Sequence, residues 1–356
     1  MNKRNKKIDF IKGLCIFLVV WGHVIQYFTP VEYNYFESTV FRIIYSFHMP
    51  LFMAISGYLS FGALYRDYKQ VLVKRCVALG IPMISWGIIS FVCWGHNLIN
   101  DGIQQVIKGL VAQTIGIWFL TSVLLNFLLC TLTYRLFCWN RATALFFGML
   151  GIGFMWILPQ RDLLLFMLPF YIMGITYNHY KDSMKIDMAH ITKRTVFIML
   201  VLTIAFICMV IKFHQNYFIY NTGMNPFEGI MPFKDHMYII VYRYILGAIG
   251  VVIVVCSVNW IYPLISSLKI VRCIENIGTK TLEIYLVQRI FIEYIANSVV
   301  KAIREEYGLF RAYTNVLVFD VIFAPLISIV FIIIIDQIIA IINKSKKLKF
   351  VLFGKV

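Results

Sequence analysis

Two side chains that hydrocarbon does not tolerate stand on the first long apolar stretch of the sequence, residues 9–28: Lys12 near its start and His23 near its far end. Eleven positions are roughly three turns of helix, so the two share one face about 16 Å apart. That face can hold an anion at one end and move a proton at the other. An ionisable group inside a membrane span costs about 2.5–3.5 kcal/mol on insertion scales and is read as facing a cavity or pathway. The helix is therefore expected to line an active site. A second imidazole, His48, lies in FHMPLFMAISGYL at residues 47–59. Counted at about 1.5 Å per residue, it sits with His23 in the outer half of the membrane. Pro50 is expected to free a carbonyl and kink that helix, and Ser56 and Gly57 to allow close helix approach.

The elements that must position these groups are membrane helices. Of 356 residues, 60% are hydrophobic and 14% charged, against about 45–50% and about 25% in soluble domains. No polar stretch is long enough for a soluble domain, so residues 1–356 are read as a single transmembrane domain. At about 20 apolar residues per crossing, the sequence predicts ten spans: 9–29, 39–62, 76–96, 117–138, 143–158, 162–179, 195–213, 238–257, 280–303 and 315–343. With both termini in the cytoplasm, 22 of the 33 Lys and Arg residues fall on inside segments and eight on outside segments, as the positive-inside rule requires. The formal charge of +16 is thus topological, and no nucleic-acid face is expected. The basic N-terminus is followed by an apolar run without a small-residue cleavage site, so the first helix is expected to be retained. The eight cysteines show no C-x-x-C or metal-ligand spacing and read as small buried hydrophobes. No His/carboxylate metal cluster, Gly-rich phosphate loop or internal repeat is present in the sequence, and no metal is expected.

Further chemistry-bearing residues fall in order along the chain. Arg66, Lys69, Lys74 and Arg75 precede the third span, as a topogenic cluster, a phosphate-binding patch, or both. The loop 214–237 mixes Asn, Tyr and Phe with a few charges, a combination suited to a sugar or another polar acceptor. Arg243 falls just inside the eighth span, where it can anchor an anionic group or pair with a carboxylate. The ninth span carries Glu283, Tyr285, Gln288, Arg289 and Glu293. Arg289 and Glu293, four apart, are expected to pair on one face.

In these stretches the chain resembles the integral-membrane acyltransferase family 3, the O-acyltransferases that modify cell-surface glycans, with fucose 4-O-acetylases among its likenesses. The resemblance rests on Lys12 and His23 as a basic-x10-His pair, on FHMPLFMAISGYL at 47–59, on KRCVALGIPMISW at 74–86 and on IGTKTLEIYLVQRIF at 277–291. Weaker signals are WFL at 118–120 and LPF at 168–170. Lys12 stands where the family commonly has Arg, keeping charge without bidentate geometry. Gln288 stands where it commonly has His, which removes a titratable group.

The resemblance implies an acyl-CoA, usually acetyl-CoA, as cytoplasmic donor, and a hydroxyl of a glycan or lipid-linked sugar as acceptor, in a bacterial plasma membrane. A donor phosphate is expected near Lys12, Lys74 and Arg75. His23 is expected to be the general base or a transient acyl carrier and His48 a proton relay. Ser56 and Tyr285 are candidate oxyanion donors, and Arg243 a substrate anchor. Intramembrane charges and prolines also fit a polysaccharide or lipid-linked sugar transporter without chemistry; the Lys12/His23 face and the basic cytoplasmic entrance favour the enzyme.

Overall fold

The structure, a computed structural model, describes residues 4–29, 33–95, 97, 102–137, 161–181, 191–307 and 316–355, with isolated positions between 140 and 153; the side chains of 135–137 and 304–307 are not among those described. All regular elements among the described residues are helical. In chain order they are α1 (Lys6–Phe28), α2 (Thr39–Phe61), α3 (Tyr68–Gly95), α4 (Ile103–Ile115), α5 (Trp118–Phe137), α6 (Arg161–Tyr180), α7 (Lys193–Lys212), α8 (Phe233–Ile265), α9 (Lys269–Thr279), α10 (281–307), α11 (Val316–Asn343) and α12 (Lys346–Phe353). Four stretches are wound as π-helix: Cys76–Gly80 and Phe91–Gly95 in α3, Arg289–Ala296 in α10 and Phe319–Phe323 in α11.

The chain is an all-α polytopic membrane protein. Six described helices, α1, α2, α3, α7, α8 and α11, are long and apolar enough to cross a membrane. The pair α4 and α5, bent by 75°, makes a seventh if taken as one span. The expected spans at 162–179 and 280–303 correspond to α6 and α10, whereas 143–158 falls mostly outside the described residues.

Helix α2 runs without a break from Thr39 to Phe61, with Pro50 inside it. One local feature departs from the sequence expectation: Lys69, Lys74 and Arg75 do not precede the third long helix but lie in it, since Asp67 accepts a hydrogen bond from the Gln70 amide at 2.9 Å and so caps the helix ahead of them. Helix α4, 13 residues long, lies between the expected spans 76–96 and 117–138.

The residues form two compact units, each described by itself: Met1–Phe52, Met184–Thr222 and Pro226–Ile339 in the first, Met53–Ser183, Gly223–Asn225 and Ala340–Val356 in the second. In the first, α1 packs most extensively on α9. The two touch backbone to backbone: a Cβ on Gly13 would overlap the carbonyl of Ile274, and one on Gly278 would overlap the carbonyl of Asp9. At its outer end, α1 is tied to α11. The Asp320 carbonyl falls where the helix runs into Pro325, which has no N–H to offer at i+5, while the Ala324 N–H goes to Phe319. The indole Nε1–H of Trp21 fills the gap, donating to the Asp320 carbonyl at 2.9 Å. Asp320 also accepts the Ser38 hydroxyl at 2.5 Å.

In the second unit, α2 and α6 cross at small residues. A Cβ on Gly57 would overlap the Tyr171 carbonyl, and one on Gly174 the Ala54 carbonyl, which is the close approach expected of small residues in membrane helices. The last carbonyls of α12, at Val351 and Leu352, accept from the Ser85 hydroxyl at 2.6 Å and the Trp86 indole at 2.8 Å. Gly354, at φ +62°, closes that helix in the left-handed cap that glycine favours.

Two outcomes test the first unit. Gly278→Val is expected to destabilise the α1/α9 crossing by about 3 kcal/mol, the upper end for over-packed sites, seen as a lowered melting temperature in detergent; the exposed neighbour Cys273→Ala serves as control, and equal melting of the two would refute the backbone contact. Trp21→Phe, which strands the Asp320 carbonyl, is expected to cost about 1–3 kcal/mol. A Pro325→Ala background, restoring an N–H at i+5, should shrink that loss, and an unchanged loss would argue against the tether.

Candidate active site

Both groups singled out by spacing are half-buried on α1. His23 is half-buried, and its Nδ1, sealed from solvent, lies 3.8 Å from the Oε1 of Glu293 on α10. A π turn closes its hydrogen bonds five residues apart instead of four. This shifts Glu293 out of the i,i+4 register with Arg289 that a regular helix would give, and its carboxylate meets an imidazole. Arg289 stays within electrostatic reach of both. A carboxylate opposite one ring nitrogen favours the proton on that nitrogen, steadies the imidazolium form, and leaves Nε2 as the basic atom.

His48 is brought into the neighbourhood of His23, within electrostatic reach. It is buried, and its Nδ1 is 2.6 Å from the Ile44 carbonyl one turn earlier. A carbonyl can only accept, so that nitrogen carries the proton and Nε2 is again the free base. Tyr45 packs edge-on against the ring, with centroids 4.9 Å apart.

The inner end of α1 is a small charge network. Asp9 accepts from Arg4 at 2.5 and 3.1 Å and lies 3.6 Å from the Lys12 ammonium. Buried Glu283 of α10 is within electrostatic reach of both cations. Beside it, a recess of about 400 Å³ is lined by Arg4, Asn5, Lys6, Lys7, Tyr262 and Pro263. Three cationic side chains, Arg4, Lys6 and Lys7, around an open recess are suited to phosphate groups. Lys280 pairs with Asp336 at 2.6 Å and joins α11 to the residue preceding α10.

The remaining expected site residues are distributed as follows. Lys74, Arg75 and Ser56 belong to the second unit. Lys74 is exposed, and the Arg75 guanidinium lies over the Phe127 ring at 5.2 Å, a cation–π contact. Arg243 is buried and donates to the backbone carbonyls of Tyr217 at 2.7 Å, Phe218 at 3.2 Å and Asn216 at 3.3 Å, and to the Thr222 hydroxyl. It is thereby a clamp on the segment 216–222. Tyr285 is half-buried, within electrostatic reach of Tyr220. Gln288 is buried; its amide donates to the Tyr285 carbonyl at 3.4 Å.

Sequence reasoning missed Glu293 as the partner of His23 because it assumed helical spacing through residues that are π-wound. It missed Arg4 by counting it only as a topogenic charge. The signal for Arg4 was its place five residues before Asp9, at the foot of the same helix.

The acyltransferase domain family matches residues 5–336. Among curated proteins, the chain is similar to nodulation protein NolL of Sinorhizobium fredii, 39% identical over 138 residues, covering 37% of each chain. It is also similar to nodulation protein NolL of Mesorhizobium japonicum, 33% identical over 186 residues, covering 49% of this chain and 48% of that one. The match thus spans half or less of these relatives' length. No solved structure matches the chain.

Glu293→Gln is expected to shift the ring-nitrogen NMR signals of His23 in protein labelled with ¹⁵N-histidine, leaving those of His48 in place. Unmoved His23 signals would mean that the carboxylate does not act on the imidazole.

Proposed function

The chain belongs to the integral-membrane acyltransferase family 3, and from that premise we propose that it transfers an acyl group, acetyl, from cytoplasmic acyl-CoA to a hydroxyl of an extracytoplasmic glycan or lipid-linked sugar. The observation that carries this reading is the His23 imidazole facing the Glu293 carboxylate at 3.8 Å, on a helix whose other end is cationic.

In this reading the CoA phosphates lie over Arg4, Lys12 and the basic recess beside them. The pantetheine arm runs along α1, which covers about 16 Å between Lys12 and His23 and so delivers the thioester to the imidazole. Nε2 of His23 takes the proton from the acceptor hydroxyl as its oxygen attacks the thioester carbonyl. The tetrahedral intermediate then expels the CoA sulfur, which leaves with the proton returned by the imidazolium; the products are an ester and free CoA. Glu293 balances the positive ring during this step. His48, with Nε2 free, relays protons between the site and the outer face. Tyr285 is the favoured oxyanion donor. Arg243 contributes by holding the segment 216–222 rather than by binding substrate directly. The inside bias of basic residues supports cytoplasmic termini, and the bacterial plasma membrane remains the expected setting.

The test is acetyl-CoA-dependent formation of ester-linked acetyl on cell-surface glycan in membranes holding wild type or His23→Ala at matched protein level. The variant is expected to lose about 10²–10⁴-fold in rate, the usual contribution of general-base catalysis. Equal acetylation by both would remove His23 from the chemistry. Absence of acetylation in both, with altered glycan export, would establish the transporter instead.

A further inference from the structure

Around the His23–Glu293 pair stands a group of phenols that the acyl-transfer step does not use. The His23 ring stacks with Tyr27, centroids 5.9 Å apart and planes 4° from parallel. Tyr45, edge-on to His48, donates its hydroxyl to Gln26 Oε1 at 3.1 Å, and the same carboxamide engages Tyr35. Tyr220 meets Tyr45 at 6.5 Å and 67°. Tyr27, Tyr45 and Tyr220 are all within electrostatic reach of Glu293.

These side chains face one another, yet they are not sealed. Tyr27, Tyr35, Tyr45 and Gln26 are half-buried, and Tyr220 exposes 56% of its surface. A cluster that converges on a half-buried pair while keeping accessible surface is within reach of a ligand. Tyr220 does not sit on a floppy loop. Arg243 clamps the carbonyls before it, the Asn221 side chain bonds the Gln215 carbonyl at 2.8 Å, and Phe218 is buried against Phe36 and Phe41.

A purely apolar cluster would suit a fatty chain. This one combines flat π faces with hydroxyls, a carboxamide and one carboxylate, the mixture that fits a ring with C–H faces and a hydroxyl rim. We propose that Tyr220, Tyr27, Tyr35 and Gln26 form the acceptor subsite and that it binds a neutral pyranose, stacked on Tyr220, with one hydroxyl turned toward His23. The assignment rests on the acyl-transfer reading for its orientation but not for the binding itself.

The test uses the full chain in proteoliposomes, with methyl β-glucopyranoside as probe and the open-chain polyol glucitol as comparison. Saturation-transfer NMR without donor reads binding, and acetyl transfer from acetyl-CoA reads KM. The pyranoside is expected to show ring C–H saturation that glucitol lacks. Tyr220→Ala is expected to abolish that contact and raise the acceptor KM about two- to ten-fold, the worth of one aromatic stacking partner, with the acetyl-CoA KM unchanged. Tyr220→Phe, which keeps the ring, should restore both. Binding that depends on Tyr220 without transfer upholds the subsite and removes the acyl-transfer reading. Transfer whose acceptor KM ignores Tyr220→Ala, a joint rise in both KM values, or equal saturation of pyranoside and glucitol overturns the subsite.

Discussion

The contact of backbone on backbone at Gly13 and Gly278 sets how close α1 and α9 come, and through that the direction in which α1 faces. Membrane helices gain little from burying apolar surface against one another, since lipid is equally apolar; they gain from close packing and from satisfied polar groups. Two glycines without side chains permit the first, and the Arg4–Asp9–Lys12 network beside them supplies the second. Lys12 and His23 share one half-buried face of α1, and α10 supplies the carboxylates near it, Glu283 toward the inner end and Glu293 toward the outer. Charge that would be prohibitive in hydrocarbon is met by opposite charge at both levels.

Much of the fold was legible because membrane helices announce themselves by length and composition. The apolar runs at 9–29, 39–62 and 195–213 correspond closely to α1, α2 and α7. What eluded sequence reading was local geometry. Asp67 signalled a cap, yet the apolar threshold for a crossing hid the polar first turns of α3. The π-wound stretches had no legible signature apart from a proline two residues past two of them, Pro82 and Pro325.

The site was legible where it depended on residue type and obscure where it depended on register. His23 and His48 stand out because imidazoles are rare in apolar runs, and the structure brings them together. Glu293 was visible as an acid within an apolar span, but pairing it with Arg289 assumed regular spacing across Arg289–Ala296. Arg243 was correctly marked as a charge in need of partners; that the partners are main-chain carbonyls of a preceding segment follows from the chain's return path, which no local pattern encodes. The phenols around the pair come from α1, the segment after it, α2 and the 216–222 segment, so they converge only in three dimensions.

The tether from Trp21 to Asp320 has a mechanical consequence. Held at its inner end by glycine contacts and two residues short of His23 by an indole bonded to an orphaned carbonyl, α1 has two fixed points and cannot turn about its own axis without breaking one of them. Any rotation of α1 therefore has to carry α9 and α11 with it.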